Sequence, residues 1–271
     1  MNTQTQAFQS FHALHAPGEL LILANIWDPA SAVLAAQAGA RALATSSAAL
    51  AWSLGHADGG RLPRQELLDA VARIQRVNRL PLSVDIEDGY SEDPAAVLSL
   101  AQALLAQGVV GINLEDGGQA PELLEAKLRA LRTALPRPGL FINARIDTYL
   151  LRRLPAEALE DDARMRMLRY EAAGADGLFL PGLDDLAVAR RLSDATPLPL
   201  NLMSWPGLPG ADELRRAGVR RLSAGATLFK SCYGALLHDM TRLHRHGLFE
   251  GRAQPLDYAR TNAWMDAARS R

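Results

Sequence analysis

Residues 80–90 read Leu-Pro-Leu-Ser-Val-Asp-Ile-Glu-Asp-Gly-Tyr, an apolar run that ends in three carboxylates, Asp85, Glu87 and Asp88. The apolar half is typical of a buried strand. Clustered negative charge at the end of such a strand is costly, because like charges repel and each carboxylate loses hydration. A bound divalent cation would offset both costs. The segment therefore predicts a strand that delivers carboxylates to a metal site.

A second apolar run, residues 109–116, ends in the same way, with Glu115 and Asp116. Two neighbouring strands with such ends bring hard oxygen ligands to one end of a sheet. Mg2+ accepts one or two protein carboxylates and completes its shell with water and substrate. The two segments together predict a Mg2+ site, with Mn2+ as the alternative ion.

Strand-like apolar runs recur eight times along the chain, at residues 20–25, 42–47, 80–88, 109–116, 139–147, 177–181, 198–203 and 219–225. Between them, segments such as 64–77 and 95–107 carry apolar residues at the three- and four-residue spacing of helices. Glycine stands between helix and strand at several of these boundaries, where it favours the left-handed conformation of a helix end.

Eight strand–helix units predict an α/β fold, a (β/α)8 barrel of the TIM type. The alternative is an open doubly wound sheet. It is disfavoured because Asn-Ile-Trp-Asp-Pro, residues 25–29, follows the first strand in place of a G-x-G-x-x-G turn.

The chain is predicted to form a single domain over residues 1–271, since no linker divides it. A closing helix is expected at 226–237, followed by a C-terminal helical extension, residues 240–271, with a helix near 256–268. A barrel does not require this extension, so we expect it to pack on a partner subunit.

The composition excludes several classes of protein. The chain has 29 basic and 30 acidic residues and a net charge of −1, so neither nucleic acid nor a membrane surface is expected as a partner. No window has the roughly 18 apolar residues of a transmembrane helix, and residues 1–10 do not resemble a secretory signal. Cys232 is the only cysteine, which excludes internal disulfides and cysteine-based zinc sites. We expect a cytoplasmic enzyme.

Nearly every predicted strand ends in polar side chains, and in a barrel these ends converge on one mouth. The polar strand ends, besides the two acidic segments, are Asn25, Asp28, Thr45, Ser46, Ser47, Asn143, Arg145, Asp147, Asn201 and Ser223. This clustering predicts an active site at the mouth, with Trp27 and Asn201 among the residues that bind substrate.

Several of these residues have a structural alternative. Asp88 followed by Gly89 is typical of a turn. Ser46 and Ser47 are suited to cap the next helix, and the free amides of a helix N-terminus also suit a carboxylate or phosphate. Arg145 either forms a structural ion pair with a neighbouring strand or clamps a substrate carboxylate.

The glycine-rich segment 53–61 follows the second strand and is long enough to fold over the mouth. It contains Asp58 and also His56, which is either a general base or a solvated loop residue. Cys232 lies in the helix after the eighth strand and is expected to be buried in packing.

Five of these motifs, in this order, resemble one known family over roughly residues 8–240: Thr45-Ser46-Ser47, Leu54-Gly55-His56-Ala57-Asp58, residues 85–90, Leu114-Glu115-Asp116 and Asn143-Ala144-Arg145. The chain resembles the phosphoenolpyruvate mutase / isocitrate lyase superfamily. The resemblance implies a (β/α)8 barrel that forms homo-oligomers, commonly tetramers with an exchanged C-terminal helix. It also implies Mg2+, a small 2-oxo or 2-hydroxy carboxylate substrate, and chemistry at a C–C or P–C bond through an enolate-like species.

The resemblance assigns the metal-binding role by position. It implies that Asp85 binds the metal directly and that Glu87 and Glu115 bind it through water. It implies that Asp58 supports the hydration shell of the metal and takes part in catalysis.

The resemblance assigns the substrate-binding role in the same way. It implies that the backbone around Ser46, Ser47 and Ala48 holds the substrate carboxylate or phosphonate, and that Arg145 stabilises the oxyanion. An enolate places negative charge on oxygen, and a metal ion with an arginine is suited to stabilise that charge.

Three departures from the family separate the chain from its best-known enzymes. The Lys-Lys/Arg-Cys-Gly-His loop of isocitrate and methylisocitrate lyases is absent. Glu115 and Asp116 are followed by Gly-Gly-Gln-Ala-Pro, residues 117–121, without the lysine and asparagine of mutases and phosphonopyruvate hydrolases. Glu87 also replaces the usual aspartate.

The leading hypothesis is a Mg2+-dependent C–C lyase whose proton comes from water or from a group such as His56 or Tyr90. The alternatives are phosphonopyruvate- or phosphoenolpyruvate-type chemistry at a P–C bond, and a barrel that binds 2-oxo acids without turnover. The short loop after Glu115 favours the last alternative. We expect a dimer or tetramer.

Overall fold

The computed structural model describes residues 3–249 and 255–269. Eight parallel strands pair in chain order and close into a barrel, with the eighth strand beside the first, so the predicted (β/α)8 fold is confirmed. The strands are β1 (Leu21–Ile26), β2 (Leu43–Thr45), β3 (Leu82–Asp85), β4 (Gly111–Glu115), β5 (Phe141–Arg145), β6 (Gly177–Phe179), β7 (Leu200–Met203) and β8 (Val219–Ser223).

Helices surround this barrel. Within the described ranges they are α1 (Thr3–Ala13), α2 (Pro29–Gln37), α3 (Ser47–Ser53), α4 (Arg64–Gln75), α5 (Pro94–Ala106), α6 (Pro121–Ala134), α7 (Thr148–Leu151), α8 (Leu159–Ala173), α9 (Leu186–Asp194), α10 (Ala211–Arg216), α11 (Thr227–His246) and α12 (Tyr258–Arg269), with one 3-10 turn at Ala156–Ala158.

Helix α5 shows how the local sequence builds one unit. The side chain of Asp93 accepts a hydrogen bond from the amide of Ala95 and caps the helix, whose first residue is Pro94. One face, at three- and four-residue spacing, is buried against the barrel. Gly108 has a φ of +81° and ends the helical segment, as the sequence predicts.

Helix α1, which the sequence analysis did not predict, closes the amino-terminal end of the barrel. Phe8 and Phe11 are buried there in a cluster with Leu21, Leu23 and Phe141. Most residues of α1 are polar, and its few apolar residues do not show the repeated three- and four-residue spacing that predicts a helix. Only the barrel end gives these two aromatic rings a place to pack.

The C-terminal region contains both predicted helices. Helix α11 is longer than the expected 226–237, and α12 lies close to the expected 256–268. Trp264, Met265 and Ala268 of α12 pack against the core of their own chain, beside α2. Packing of this extension on a partner subunit stays a prediction.

Cys232 corrects one expectation. The thiol is exposed, because the residue lies on the outward side of α11. None of the helices in residues 3–249 and 255–269 is long and apolar enough to cross a membrane.

Candidate active site

The carboxyl ends of the strands surround a cavity of about 700 Å3. The polar residues of its wall include Asn25, Ser46, Ser47, Asp58, Asp85, Asn113, Arg145, Ser204, Ser223, Thr227 and Lys230. The apolar residues include Ala48, Trp52, Leu150, Phe179, Pro181, Met203 and Trp205. Six of the predicted site residues, Ser46, Ser47, Ala48, Asp58, Asp85 and Arg145, thus face one cavity.

Asp85, the last residue of β3, faces the cavity although it is only 8% exposed. One carboxylate oxygen accepts a hydrogen bond of 3.1 Å from the amide of Glu87. Burial raises the pKa of Asp85, Arg145 acts to lower it, and the charges of Asp58 and Asp147 raise it further. A cation at this end of the barrel would stabilise the ionised carboxylate.

Glu87 lies behind the cavity wall. Its φ of +51° is rare for a residue with a side chain, and the strain turns the chain at the end of β3. Its Oε2 accepts a hydrogen bond from the amide of Gly60, in the loop after α3. Its Oε1 is buried without a hydrogen-bond partner among the described residues. A buried unpaired carboxylate oxygen suits a bound water, so a water-mediated metal role fits this position.

Asp88 forms the turn that was the alternative to a metal-binding role. Its Oδ1 accepts a hydrogen bond of 2.9 Å from the amide of Tyr90, and its carbonyl accepts one of 2.7 Å from Lys127 Nζ. A side chain at Gly89 would lie 2.7 Å from Val97, so this turn requires glycine.

Arg145, at the end of β5, forms the structural ion pairs that were one of its two predicted roles and also lines the cavity, while its role toward substrate stays a prediction. Its Nε donates a hydrogen bond of 2.7 Å to Asp147 Oδ1, and its Nη1 lies 2.7 Å from Glu115 Oε2. Burial acts to lower the pKa of Arg145, but Glu115 and Asp147 raise it above its ordinary value. Arg145 is therefore a permanent cation in the cavity wall, held by an ion pair on each side.

Glu115 lies behind Arg145 and is not part of the cavity wall. Burial raises the pKa of Glu115 to about 8, Arg145 acts to lower it, and Asp85 raises it further. Because several carboxylates meet here around one arginine, the mouth carries more negative charge than its own residues neutralise. This imbalance is what a bound cation would relieve.

Ser46 caps helix α3, as the sequence predicts. Its Oγ accepts a hydrogen bond of 3.3 Å from the amide of Ala49. Ser47 and Ala48 follow in the first turn and line the cavity. Asp58 reaches the same cavity from the loop after α3. The roles of these residues toward substrate and metal stay predictions.

Two predicted substrate-binding residues lie outside the cavity wall. Trp27 packs edge-on against Phe229, with ring centroids 5.2 Å apart. Asn201 is fully buried below the mouth, where its Oδ1 accepts a hydrogen bond of 3.0 Å from Asn143 Nδ2.

The two proposed proton donors also lie outside the wall. His56 pairs with Glu66 at 3.1 Å on the loop after α3. Tyr90 has a buried hydroxyl, and burial together with the nearby Glu87 carboxylate raises the pKa of Tyr90. Neither side chain faces the cavity.

The residues of the mouth fit a hydrated Mg2+ ion better than a metal that requires a protein cage. Among the described residues, no three His, Cys, Asp or Glu side chains converge as a ready-made metal cage. Mg2+ keeps several waters and needs only one or two carboxylates. Asp85 faces the cavity beside Asp58, and the unpaired Oε1 of Glu87 lies behind.

The chain matches a known protein family along most of its length. The family model of phosphoenolpyruvate phosphomutase matches residues 11–244. The chain belongs to the phosphoenolpyruvate mutase / isocitrate lyase superfamily. The resemblance seen in the motifs is confirmed, and so is the prediction of an enzyme of the lyase and mutase type.

Relatives within this superfamily align along most of the barrel. An uncharacterized protein of Mycobacterium tuberculosis is 37% identical over 233 residues, 84% of this chain and 86% of that protein. An oxaloacetate decarboxylase of Ectopseudomonas mendocina is 30% identical over 261 residues, 92% of this chain and 86% of that protein. A solved structure from Burkholderia cenocepacia J2315, provisionally named a lyase/mutase, has a TM-score of 0.87 at 32% identity and covers 96% of both chains.

Sequence reasoning missed several polar groups that this superfamily member brings into its cavity, among them Asn113 of β4, Ser204 after β7 and Lys230 of α11. The side chain of Lys230 makes no hydrogen bond or ion pair within the described part of the chain. Lys230 was missed because it follows its strand by a full turn of helix. Because the segments that follow barrel strands build the mouth, the start of the helix after β8 is the signal that could have found it.

Proposed function

We propose that this chain binds Mg2+ and a small 2-oxo or 2-hydroxy carboxylate and breaks or forms a C–C bond through an enolate-like intermediate. The observation that carries the proposal is the position of Asp85 and Arg145 in the wall of one cavity. A carboxylate there suits a divalent cation, and a guanidinium beside it suits a substrate carboxylate or oxyanion.

In this proposal Arg145 binds the negative charge that develops on the substrate. Its ion pairs with Glu115 and Asp147 fix the orientation of the guanidinium before substrate arrives, which is how preorganised charge lowers a barrier. The ring of Phe179 lies 5.9 Å from the guanidinium carbon and helps to exclude water. A Mg2+ ion held by Asp85, with Glu87 and Glu115 through water, would add Lewis-acid stabilisation of that charge.

Oxaloacetate is the first substrate to test, because a relative of 30% identity is an oxaloacetate decarboxylase. In decarboxylation the bond to the departing CO2 breaks, its electron pair forms the enolate of pyruvate, and a proton converts the enolate to pyruvate. His56 and Tyr90 lie outside the cavity wall. Water or the ammonium group of Lys230 is therefore the proposed proton source.

Chemistry at a P–C bond is the alternative, because the matching family model is that of phosphoenolpyruvate phosphomutase. Binding without turnover is favoured by a different observation. Only residues 116–120 separate β4 from α6, and they include no lysine or asparagine.

We also propose that the chain assembles into a homo-oligomer, a dimer or tetramer, through helix α11. Leu236, Leu237, Met240 and Leu243 are all exposed at helical spacing along its outer side. An apolar helix face of this kind marks a contact surface. A second copy of the chain is the proposed partner, in keeping with the assembly that the resemblance implies.

The test of the catalytic proposal is calorimetry with Mg2+ and oxalate, pyruvate or oxaloacetate, combined with turnover assays for pyruvate and, from phosphonopyruvate, for phosphate. We expect Mg2+-dependent binding and turnover of a C–C substrate. Asp85→Asn should weaken Mg2+-dependent oxalate binding by about 100-fold or more, since even outer-shell changes cost 10–100-fold.

The matched control is Asp69→Asn, which makes the same change on the exposed side of α4 and should leave binding unchanged. Binding without product from any substrate would show that the chain is a binding protein. Unchanged Mg2+ dependence in Asp85→Asn would show that the metal assignment is wrong.

A further inference from the structure

One layer below the mouth, the interior of the barrel is polar, whereas barrel interiors are ordinarily filled by branched apolar side chains. Ser83, Asn113, Asn143, Asn201 and Arg221 are each at most 3% exposed. Asn143 Nδ2 donates hydrogen bonds to Asn113 Oδ1 at 2.9 Å and to Asn201 Oδ1 at 3.0 Å. These five residues, the polar layer, form a connected group, of which only Asn113 also lines the cavity.

Arg221, on β8, is the costly member of the polar layer. It is 1% exposed, and among the described residues no carboxylate lies within ion-pair distance of it. Its Nη2 donates to Asn113 Oδ1 at 3.2 Å and, weakly, to Ser83 Oγ at 3.4 Å. Its Nε and Nη1 have no partner in the described part of the chain. A buried charge with incomplete hydrogen bonding destabilises a fold, so stability alone does not account for it.

The position of Arg221 relates it to the mouth. Ser83 and Asp85 are two residues apart on β3 and point to the same side of the sheet, so Ser83 lies about 6–7 Å below Asp85 along the strand. Asn113 is paired with Asp85 in the register of β3 and β4. Burial lowers the pKa of Arg221 to about 9, while Asp85 acts to raise it, so the guanidinium is charged at neutral pH.

Asn113 connects this charge to the cavity. It lines the cavity wall, and its Oδ1 accepts hydrogen bonds from both Arg221 and Asn143. Two donors on Oδ1 fix the orientation of the amide. Its Nδ2 donates to none of the described residues and is therefore the group left to face the mouth.

We infer that Asn113 binds an anionic oxygen of the substrate through Nδ2 and that Arg221 is the positioning residue that orients it. Arg221 holds Oδ1 from below and so keeps the donor, rather than the acceptor, toward the mouth. Its charge adds a fixed positive potential under a mouth rich in carboxylates, which favours an anionic ligand. This inference rests on the proposed function, because it assumes an oxo-acid ligand in this cavity.

The test uses the whole chain, with oxalate in saturating Mg2+ as the probe and urea unfolding in parallel. Arg221→Met should fold and weaken oxalate binding about tenfold, the effect of one lost hydrogen bond to an anion. Arg221→Lys keeps the charge and should recover part of the affinity. Asn113→Asp should weaken oxalate binding while it raises the urea midpoint, because the new carboxylate pairs with Arg221.

If this group had only a structural role, a substitution would shift the oxalate affinity and the urea midpoint in the same direction. A lower oxalate affinity together with a higher urea midpoint in Asn113→Asp therefore supports the inference. If Arg221→Met does not fold, oxalate binding by Asn113→Ala and Asn113→Asp tests the inference without it. Parent-like oxalate affinity in the Asn113 variants would overturn the inference and leave the proposed function standing. If the parent chain itself does not bind oxalate with Mg2+, the proposed function fails and the inference fails with it.

Discussion

Asp116 joins the ends of two barrel strands through four hydrogen bonds. Its Oδ1 accepts the amides of Gly118 at 2.9 Å and Asp147 at 3.1 Å. Its Oδ2 accepts from Arg166 Nη1 at 3.0 Å and from the Tyr170 hydroxyl at 2.9 Å. One buried carboxylate thus fixes the turn after β4 and the chain after β5, the two segments that carry the acidic and basic halves of the site.

Replacing Asp116 with Asn should therefore destabilise the protein by about 2–3 kcal/mol. The amide group can accept at only one of the two former oxygen positions, and the half-buried Arg166 loses one of its charged partners. Urea unfolding at neutral pH measures the change in the free energy of unfolding.

The control is Asp194→Asn. Asp194 accepts a hydrogen bond of 2.8 Å from Arg190 on the exposed side of α9. An exposed pair of this kind contributes about 0.5 kcal/mol or less. Equal losses in the two variants would contradict the role given to Asp116.

Helix α1 and the residues after it close the amino-terminal end of the barrel around a neutral histidine. His15 stacks on Phe141 with ring centroids 4.6 Å apart, and its Nδ1 lies 3.0 Å from the carbonyl oxygen of Phe11. Burial and the charge of Arg221 lower the pKa of His15 to about 3. The folded protein therefore keeps His15 neutral at a pH where the unfolded chain takes up a proton.

This difference predicts an acid-dependent loss of stability. The unfolded chain binds the extra proton as the pH falls below about 6.5, so His15 destabilises the fold progressively from there down to about pH 3. At pH 5 the effect is about 2 kcal/mol relative to pH 8. Urea unfolding measures the free energy of unfolding at pH 8 and at pH 5. His15→Phe should remove about 2 kcal/mol from the difference between these two values.

His12, the histidine one turn earlier on α1, provides the control. It is exposed, so His12→Gln should retain the parental difference between the two pH values. If His15→Phe loses as much stability on acidification as the parent does, the neutral, buried state of His15 is ruled out.

At the scale of the whole molecule, the outer side of α11 is a large uncovered apolar face among the described residues. Leu237 is 67% exposed and Met240 is 50% exposed. The two side chains lie one turn apart on a helix that extends well beyond what closes the barrel. An oligomer that buries this face would remove about 25 cal/mol per Å2 of apolar surface from water.

If the proposed oligomer forms, the double substitution of Leu237 and Met240 by Asp should convert it to a monomer with an intact barrel. Light scattering coupled to size-exclusion chromatography gives the mass, and circular dichroism monitors the fold. Leu168→Asp is the control, because Leu168 is 47% exposed on α8, away from this face. An unchanged mass in the double variant would rule out α11 as the contact.

Most of the fold could be predicted from the sequence because its signals are local. Apolar runs, helical spacing and glycine ends are each contained in about ten residues, and eight repeats of them leave few topologies. Helix α1 could not be predicted in this way, because Phe8 and Phe11 are its only large apolar residues and their partners lie on distant strands.

The sequence by itself determined that acidic, amide and basic groups end the strands of a barrel and therefore meet at its mouth. Only the tertiary structure decided which of them face the cavity. A left-handed turn directs Glu87 toward Gly60. Asn201 lies in the buried polar layer below the mouth and therefore does not reach the cavity. The stagger of the strands places Arg221 beneath Asp85, because register and closure depend on all eight strands at once.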